Sequence, residues 1–232
     1  MVRIQLEPAW VLSLRPYRET SALLEVLTSR HGRVGLVARG VRGAKSKLRG
    51  LLQPFGPLLM SWSERGELGT LGAVEAGGAA MMLKGEAIFS GWYLNELVLR
   101  LLQRRDPHPS VFEDYSGTLA SLGTDEAPRA LRVFEKRLLS ELGYGVHLPE
   151  GLTPEGWYAF EPGSGLRIAE GPGRDRYLGA SLLEMESESF ASRDALRDAR
   201  RLLRSALEPH LGGRALRTPE MLRALRGLRS LG

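Results

Sequence analysis

The chain has 232 residues, enough for one large domain or two small ones, with the 43% hydrophobic and 25% charged content of a folded protein. Its net charge of +5 favours an anionic partner. The absence of cysteine excludes disulfides, thiolate metal sites and thiol nucleophiles, and no apolar run reaches the ~18 residues of a membrane span.

The first 80 residues read as all-β. Trp10, Leu12 and Leu14 alternate with Val11, Ser13 and Arg15 in a strand that Pro16 ends, and residues 21–28 form a second strand. A turn at Ser29-Arg30-His31-Gly32 puts glycine where positive φ is wanted and leads into a third strand over 34–41. Residues 57–63 and 70–76 give two more strands about a turn at Glu64-Arg65-Gly66. Five short strands of this kind predict a small barrel of the oligonucleotide-binding (OB) type.

Within that half, residues 30–50 carry Arg30, Arg33, Arg39, Arg42, Lys45, Lys47 and Arg49 and no acid, and the next carboxylate is Glu64. Folding alone gives little reason to concentrate self-repelling charge, whereas a polyanion would supply the counter-charge and release its own counterions. Arg33, Arg39, Arg42, Lys45, Lys47 and Arg49 are therefore the candidate nucleic-acid contacts, against the alternative of a solvated basic loop. Tyr17, Phe55 and Trp62 are the aromatic candidates for base stacking, although each also suits a core position.

From Leu83 the period becomes helical. Ile88, Trp92, Leu97 and Leu101 recur up to a stop at Asp106-Pro107, and a second helix covers 110–122. The third, over 126–142, sets Ala127, Leu131, Phe134, Leu138 and Leu142 in one row, with Arg129, Arg132, Lys136 and Arg137 around it and Gly143 as its cap. Residues 147–178 are rich in Gly and Pro, and 157–161 with 165–169 read as one hairpin. Glu184, Glu186 and Glu188 follow, read as a solvated face. Two helices over 193–211 and 219–231 close the chain, with ten Arg against four acids beyond residue 192. The organisation expected is α+β: an OB-fold domain over 1–80 and a helical domain over 81–232 with a small β-hairpin insertion.

No catalytic constellation is present. Residues 40–46 lack the spacing of a phosphate-binding loop, the four histidines are scattered without metal spacing, and no serine has an elbow motif or a histidine partner. Neither a cofactor nor a metal is expected. The N-terminus is interrupted by Arg3, Glu7, Pro8 and Arg15, unlike a signal peptide, so a cytoplasmic protein is expected.

The blocks Arg15-Pro16-Tyr17-Arg18-Glu19-Thr20-Ser21, Thr28-Ser29-Arg30-His31-Gly32, Val37-Ala38-Arg39-Gly40-Val41, Lys45-Ser46, Leu52-Gln53-Pro54-Phe55 and Glu75 resemble the RecO family of recombination mediators. Tyr93-Leu94-Asn95-Glu96-Leu97, Arg132-Val133-Phe134-Glu135, Leu142-Gly143-Tyr144, Leu202-Leu203 and His210-Leu211-Gly212 extend the likeness over nearly the whole chain. The resemblance implies an OB-fold domain before a helical one, and no enzymatic turnover. It implies binding to single- and double-stranded DNA, annealing of complementary strands, and capture of the acidic C-terminal tail of single-stranded DNA-binding protein (SSB). It further implies action with RecR so that RecA, an indirect partner, loads on coated DNA. The helix over 126–142 could hold the SSB tail, with Leu138 or Leu142 lining a slot and Arg129, Arg132 or Arg137 meeting its carboxylates. The alternatives are an OB-fold RNA-binding protein and an adaptor for another acidic protein. Two departures stand out: the four-cysteine zinc module of many relatives is without cysteine here, and Arg217-Thr218-Pro219 replaces the more usual Lys-Ser-Arg.

Overall fold

The computed structural model describes residues 2–44, 46–64 and 66–222. Lys45, Arg65 and most of the expected helix over 219–231 lie outside them. The described residues belong to two compact units, one within Met1–Gly123 and Leu216–Gly232, the other Thr124–Ala215.

The first unit begins with β1 (Val2–Tyr17), β2 (Ser21–Thr28) and β3 (Gly32–Ala38), continues through a short helix α1 (Leu48–Leu51), and completes its sheet with β4 (Pro57–Glu64) and β5 (Gly69–Ala76). The strands close in the order β1-β2-β3-β5-β4, with β3 and β5 parallel and β1 pairing with both β2 and β4. This is the five-stranded OB-type barrel that the alternation predicts. The first strand is longer than expected: register shifts at Ile4/Glu7 and Val11/Ser13 bend it from one neighbour to the other, and Pro16 lies within it. Ala9, Trp10, Val11 and Leu12 are all buried, because one face of β1 meets the barrel core and the other meets helices.

Those helices are α2 (Glu86–Leu101) and α3 (Pro109–Ser121). The Asn95 amide donates to the Leu12 carbonyl at 2.9 Å, the Tyr115 hydroxyl donates to Asn95 at 2.5 Å, and Trp10 meets the Tyr115 ring edge-on at 5.8 Å. Burial pushes the Tyr115 hydroxyl up, so it stays a neutral donor. Gly32 takes φ 64°, as its turn requires, and a Cβ there would overlap the Asp106 carbonyl oxygen.

The second unit comprises α4 (Ala127–Glu141), β6 (Trp157–Glu161), β7 (Gly165–Ala169), β8 (Arg176–Leu178), α5 (Gly179–Glu186) and α6 (Arg193–Leu207), followed by a 3-10 turn at Glu208–Leu211. Its sheet has a third strand beyond the expected hairpin: β8 pairs with β6 across Tyr158↔Tyr177. Three residues are too few to show an alternation in sequence. Buried Tyr158, Leu166 and Tyr177 hold this cysteine-free lobe, and the Tyr158 hydroxyl accepts from the Thr153 N–H at 2.8 Å. Helix α6 stops at Leu207 because Pro209 tightens the next turn into 3-10 geometry.

A candidate nucleic-acid interface on the barrel

The acid-free stretch divides into cations that are already paired and cations that are free. Arg30 and Arg33 flank the β2–β3 turn. Fully buried Glu7 accepts from the Arg30 backbone N–H at 2.7 Å and from its guanidinium at 2.9 and 2.6 Å. Glu25, also buried, accepts from Arg33 at 3.0 Å and pairs with Arg104. Burial pulls the Arg33 guanidinium down against the pull of Glu25, with Arg104 adding to the depression. Arg33 is thus consumed in the barrel wall and leaves the set of cations open to a phosphate.

Beyond β3 the pattern inverts. Val41 and Leu52 are buried in the barrel core, and Leu48 of α1 packs against it, so the apolar residues anchor the loop inward. Arg39, Arg42, Lys47 and Arg49 are exposed, and none lies within ion-pair distance of a carboxylate among the described residues. The side-chain amide of Gln53 donates to the Arg49 carbonyl at 2.7 Å and closes the end of α1.

This loop is stitched to the β1–β2 turn. The Arg42 N–H donates to the Thr20 carbonyl at 2.8 Å, and its guanidinium donates to the Arg18 carbonyl at 3.2 Å. Arg18 takes φ 52°, which costs a non-glycine residue about 1–2 kcal/mol. Its guanidinium lies over the Tyr17 ring, 5.1 Å from the centroid. Between the two loops opens a groove of about 510 Å³ lined by Arg18, Thr20, Ser21, Arg39 and Thr70 with Val37. Guanidinium and hydroxyl donors around a shallow groove suit phosphodiester oxygens. Arg18 is a candidate that the charge-run reading missed: it stands outside the run and is brought to the groove by strand pairing. Of the aromatic candidates, Phe55 and Trp62 are buried, and Tyr17 at the groove remains partly exposed.

On α4 the candidate cations are engaged within their own unit. Arg132, largely buried, pairs with Glu135 at 2.6 Å. Arg129 donates to the Glu188 carbonyl at 3.0 Å, and Arg137 pairs with the Glu188 carboxylate at 2.6 Å beside Lys136 at 3.4 Å. Burial pushes the Glu188 carboxyl up, but Arg137 and Lys136 outweigh it and hold it below the ordinary carboxylate value. Glu188 is therefore part of an ion cluster and not of a solvated face. Leu138 is sealed in the core and Leu142 is half-buried. A groove of about 460 Å³ does open beside α4, lined by Asp125, Glu126, Arg129, Phe190 and Leu196, among others.

Two family models, for the N-terminal and C-terminal parts of recombination protein O, match residues 1–78 and 82–151. The chain is 44% identical over 227 residues to the DNA repair protein RecO of Coxiella burnetii, covering 95% of this chain and 98% of that one. It is 42% identical over 229 residues to the RecO of Methylococcus capsulatus, covering 96% and 94%. The RecO of Burkholderia pseudomallei is 40% identical over 235 residues, covering 97% and 86%. The chain belongs to the RecO family.

Its role accordingly lies in DNA repair and recombination. Among the described residues no helix is long and apolar enough to cross a membrane. The segment Arg217-Thr218-Pro219 has a structural role. Glu96 on α2 accepts from the N–H groups of Arg217 and Thr218 at 2.9 and 3.0 Å and from the Thr218 hydroxyl at 2.9 Å, and it pairs with Arg100 at 2.8 Å. These donors open the helical stretch over 217–222, where a carboxylate satisfies otherwise orphaned N–H groups.

Burial pushes the Glu96 carboxyl up, yet these donors together hold it below its ordinary value of 4.5. A depressed folded value contributes stability that is complete above the ordinary value and is lost as the pH falls below it. Amide-exchange protection at Arg217 and Thr218 is therefore expected to hold at neutral pH and to fall under acid conditions. Glu96→Gln should remove it at neutral pH, and protection independent of both changes would contradict this account.

Proposed function

We propose that this chain is a non-catalytic mediator that binds single- and double-stranded DNA through its barrel without reading sequence. It would anneal complementary strands and, with RecR, help RecA load on SSB-coated single-stranded DNA. The observation that carries the reading is the exposure of Arg39, Arg42, Lys47 and Arg49, without an acid partner among the described residues, on a loop pinned by buried Val41 and Leu52. Arg18 joins them through the stitched loops. Contacts to phosphate position a strand and carry no sequence information, which suits an annealing factor.

Gel shifts with DNA of mixed sequence, a permutation of it, and RNA of the first sequence test the reading. Equal affinity for the two DNAs supports it. Tighter binding to RNA would favour an RNA-binding barrel, because the 2′-hydroxyl is what distinguishes the two polymers at a given site.

The second unit is proposed to receive the acidic SSB tail along α4. A tail carboxylate would take over Arg137 and Lys136 from Glu188, with Phe190 and Leu196 offering the apolar wall. Glu188→Gln should then raise affinity for the tail peptide by up to about 5-fold, the worth of an exposed ion pair near 1 kcal/mol. Arg137→Gln should lower it, and calorimetry giving one affinity for parent and both variants would remove α4 from the assignment.

A further inference from the structure

Helical spacing places Trp92 among core residues, yet it is 43% exposed, whereas Trp10 and Trp62 are 3% and 2% exposed. Its ring and that of Phe55 meet in a T, with centroids 5.9 Å apart and planes at 81°, while a large part of the indole stays open to solvent. Phe55 is itself fixed. It is 7% exposed, its carbonyl accepts from Met81 at 2.9 Å, and Gly91 gives its ring room that a Cβ would fill.

Phe55 also ties Trp92 to the basic loop. Gln53, which closes α1 on the Arg49 carbonyl, stands two residues before Phe55. One helical turn and two extended residues place the Arg49 backbone within about 13 Å of Phe55, a few nucleotides of strand. On the other side, exposed Met82 and Lys84 belong to the segment that Met81 fastens to Phe55. The chain that leads to Phe55 carries Lys47 and Arg49, and the segment fastened to it carries Lys84, cations that suit a flat π-face with its own negative charge nearby. Charge complementarity therefore selects a nucleobase over an apolar protein segment.

We propose that Trp92 is a stacking platform for an unpaired base of single-stranded DNA, a role that presupposes the phosphate contacts proposed above. Phosphates on the basic loop would hold the strand, and Trp92 would take a base that duplex DNA keeps inside its stack. The site would favour single-stranded over duplex DNA with no preference for sequence, since every base has a π-face.

The full-length chain is titrated with oligo(dT) of about 16 nucleotides, the upper end of an OB-fold site, and with a duplex of the same length. Oligo(dT) is expected to quench the indole emission, and Trp92→Phe should abolish most of the quench while binding persists. Trp92→Ala should weaken oligo(dT) binding roughly 5- to 150-fold, as the loss of one stacked base implies, and leave duplex affinity unchanged. Equal losses on both DNAs, or no loss on oligo(dT), would overturn the stacking role. If the parent protein binds neither DNA in a salt-dependent way, the phosphate-contact reading fails instead, and the stacking role fails with it.

Discussion

Glu25→Gln is expected to lower the stability of the barrel unit by about 3 kcal/mol, the low end of what breaking a buried ion pair costs. Glu25 is 5% exposed and holds two guanidinium groups, one from its hairpin partner Arg33 and one from Arg104 beyond α2. Arg33, at 18% side-chain exposure, cannot turn fully to water once the carboxylate is neutral. Arg104 is better solvated, which keeps the cost from the top of the range. A loss of this size lowers the melting temperature by roughly 6–12 °C in a chain of this length. Emission from buried Trp10 and Trp62 should report the transition. Glu25→Gln with Arg33→Met should recover part of the loss, since the stranded charge then goes too. A melting temperature unchanged by Glu25→Gln would show that this pair is solvated and that Arg33 belongs with the free cations after all.

The largest effect on binding is expected from Arg39→Gln combined with Arg42→Gln. Removing two phosphate contacts, each releasing about 0.9 counterion from duplex DNA, lowers affinity about 60-fold at ~0.1 M salt. The loop should survive the change. Its anchors are Val41 and Leu52 in the core, and the bond from Arg42 to Thr20 uses the backbone. Filter binding on parent and variant measures the ratio, and a ratio near one would mean that these arginines face away from the DNA.

These two variants separate what a linear reading could reach from what it could not. The barrel was legible because its signals are local: alternation in the strands, glycine at the Gly32 turn, and the change to helical period after Leu83. Burial of Trp10, Tyr115, Phe134 and Leu138 follows from the same periodicity. The site was legible only as a density of charge. Residues 30–50 contain no acid, but Glu7 and Glu25 reach Arg30 and Arg33 across paired strands, and Arg104 arrives from 71 positions beyond Arg33. Strand register decides which cation is neutralised, and register follows from the closed sheet as a whole.

The same reasoning explains Arg18 and Trp92. Arg18 lies outside the acid-free stretch and reaches it only where the two loops meet through Arg42. Trp92 occupied a position of the helical row that faces Phe55 and solvent instead of the interior. On α4 the arginines were visible but their partner Glu188 was not, because it comes from the loop after α5. Charge pattern thus pointed to the candidate surface, while pairing at long range decides which of its cations lack an acid among the described residues.

The salt dependence of binding to single-stranded DNA tests the central claim most directly. With Arg18, Arg39, Arg42, Lys47 and Arg49 each on a phosphate, log affinity should fall with log salt at a slope of about −3.5, and Arg39→Gln with Arg42→Gln should bring it to about −2. A parent slope shallower than about −1, or one that the two substitutions leave unchanged, would contradict a barrel loop kept free of acids in order to lie against a phosphate backbone.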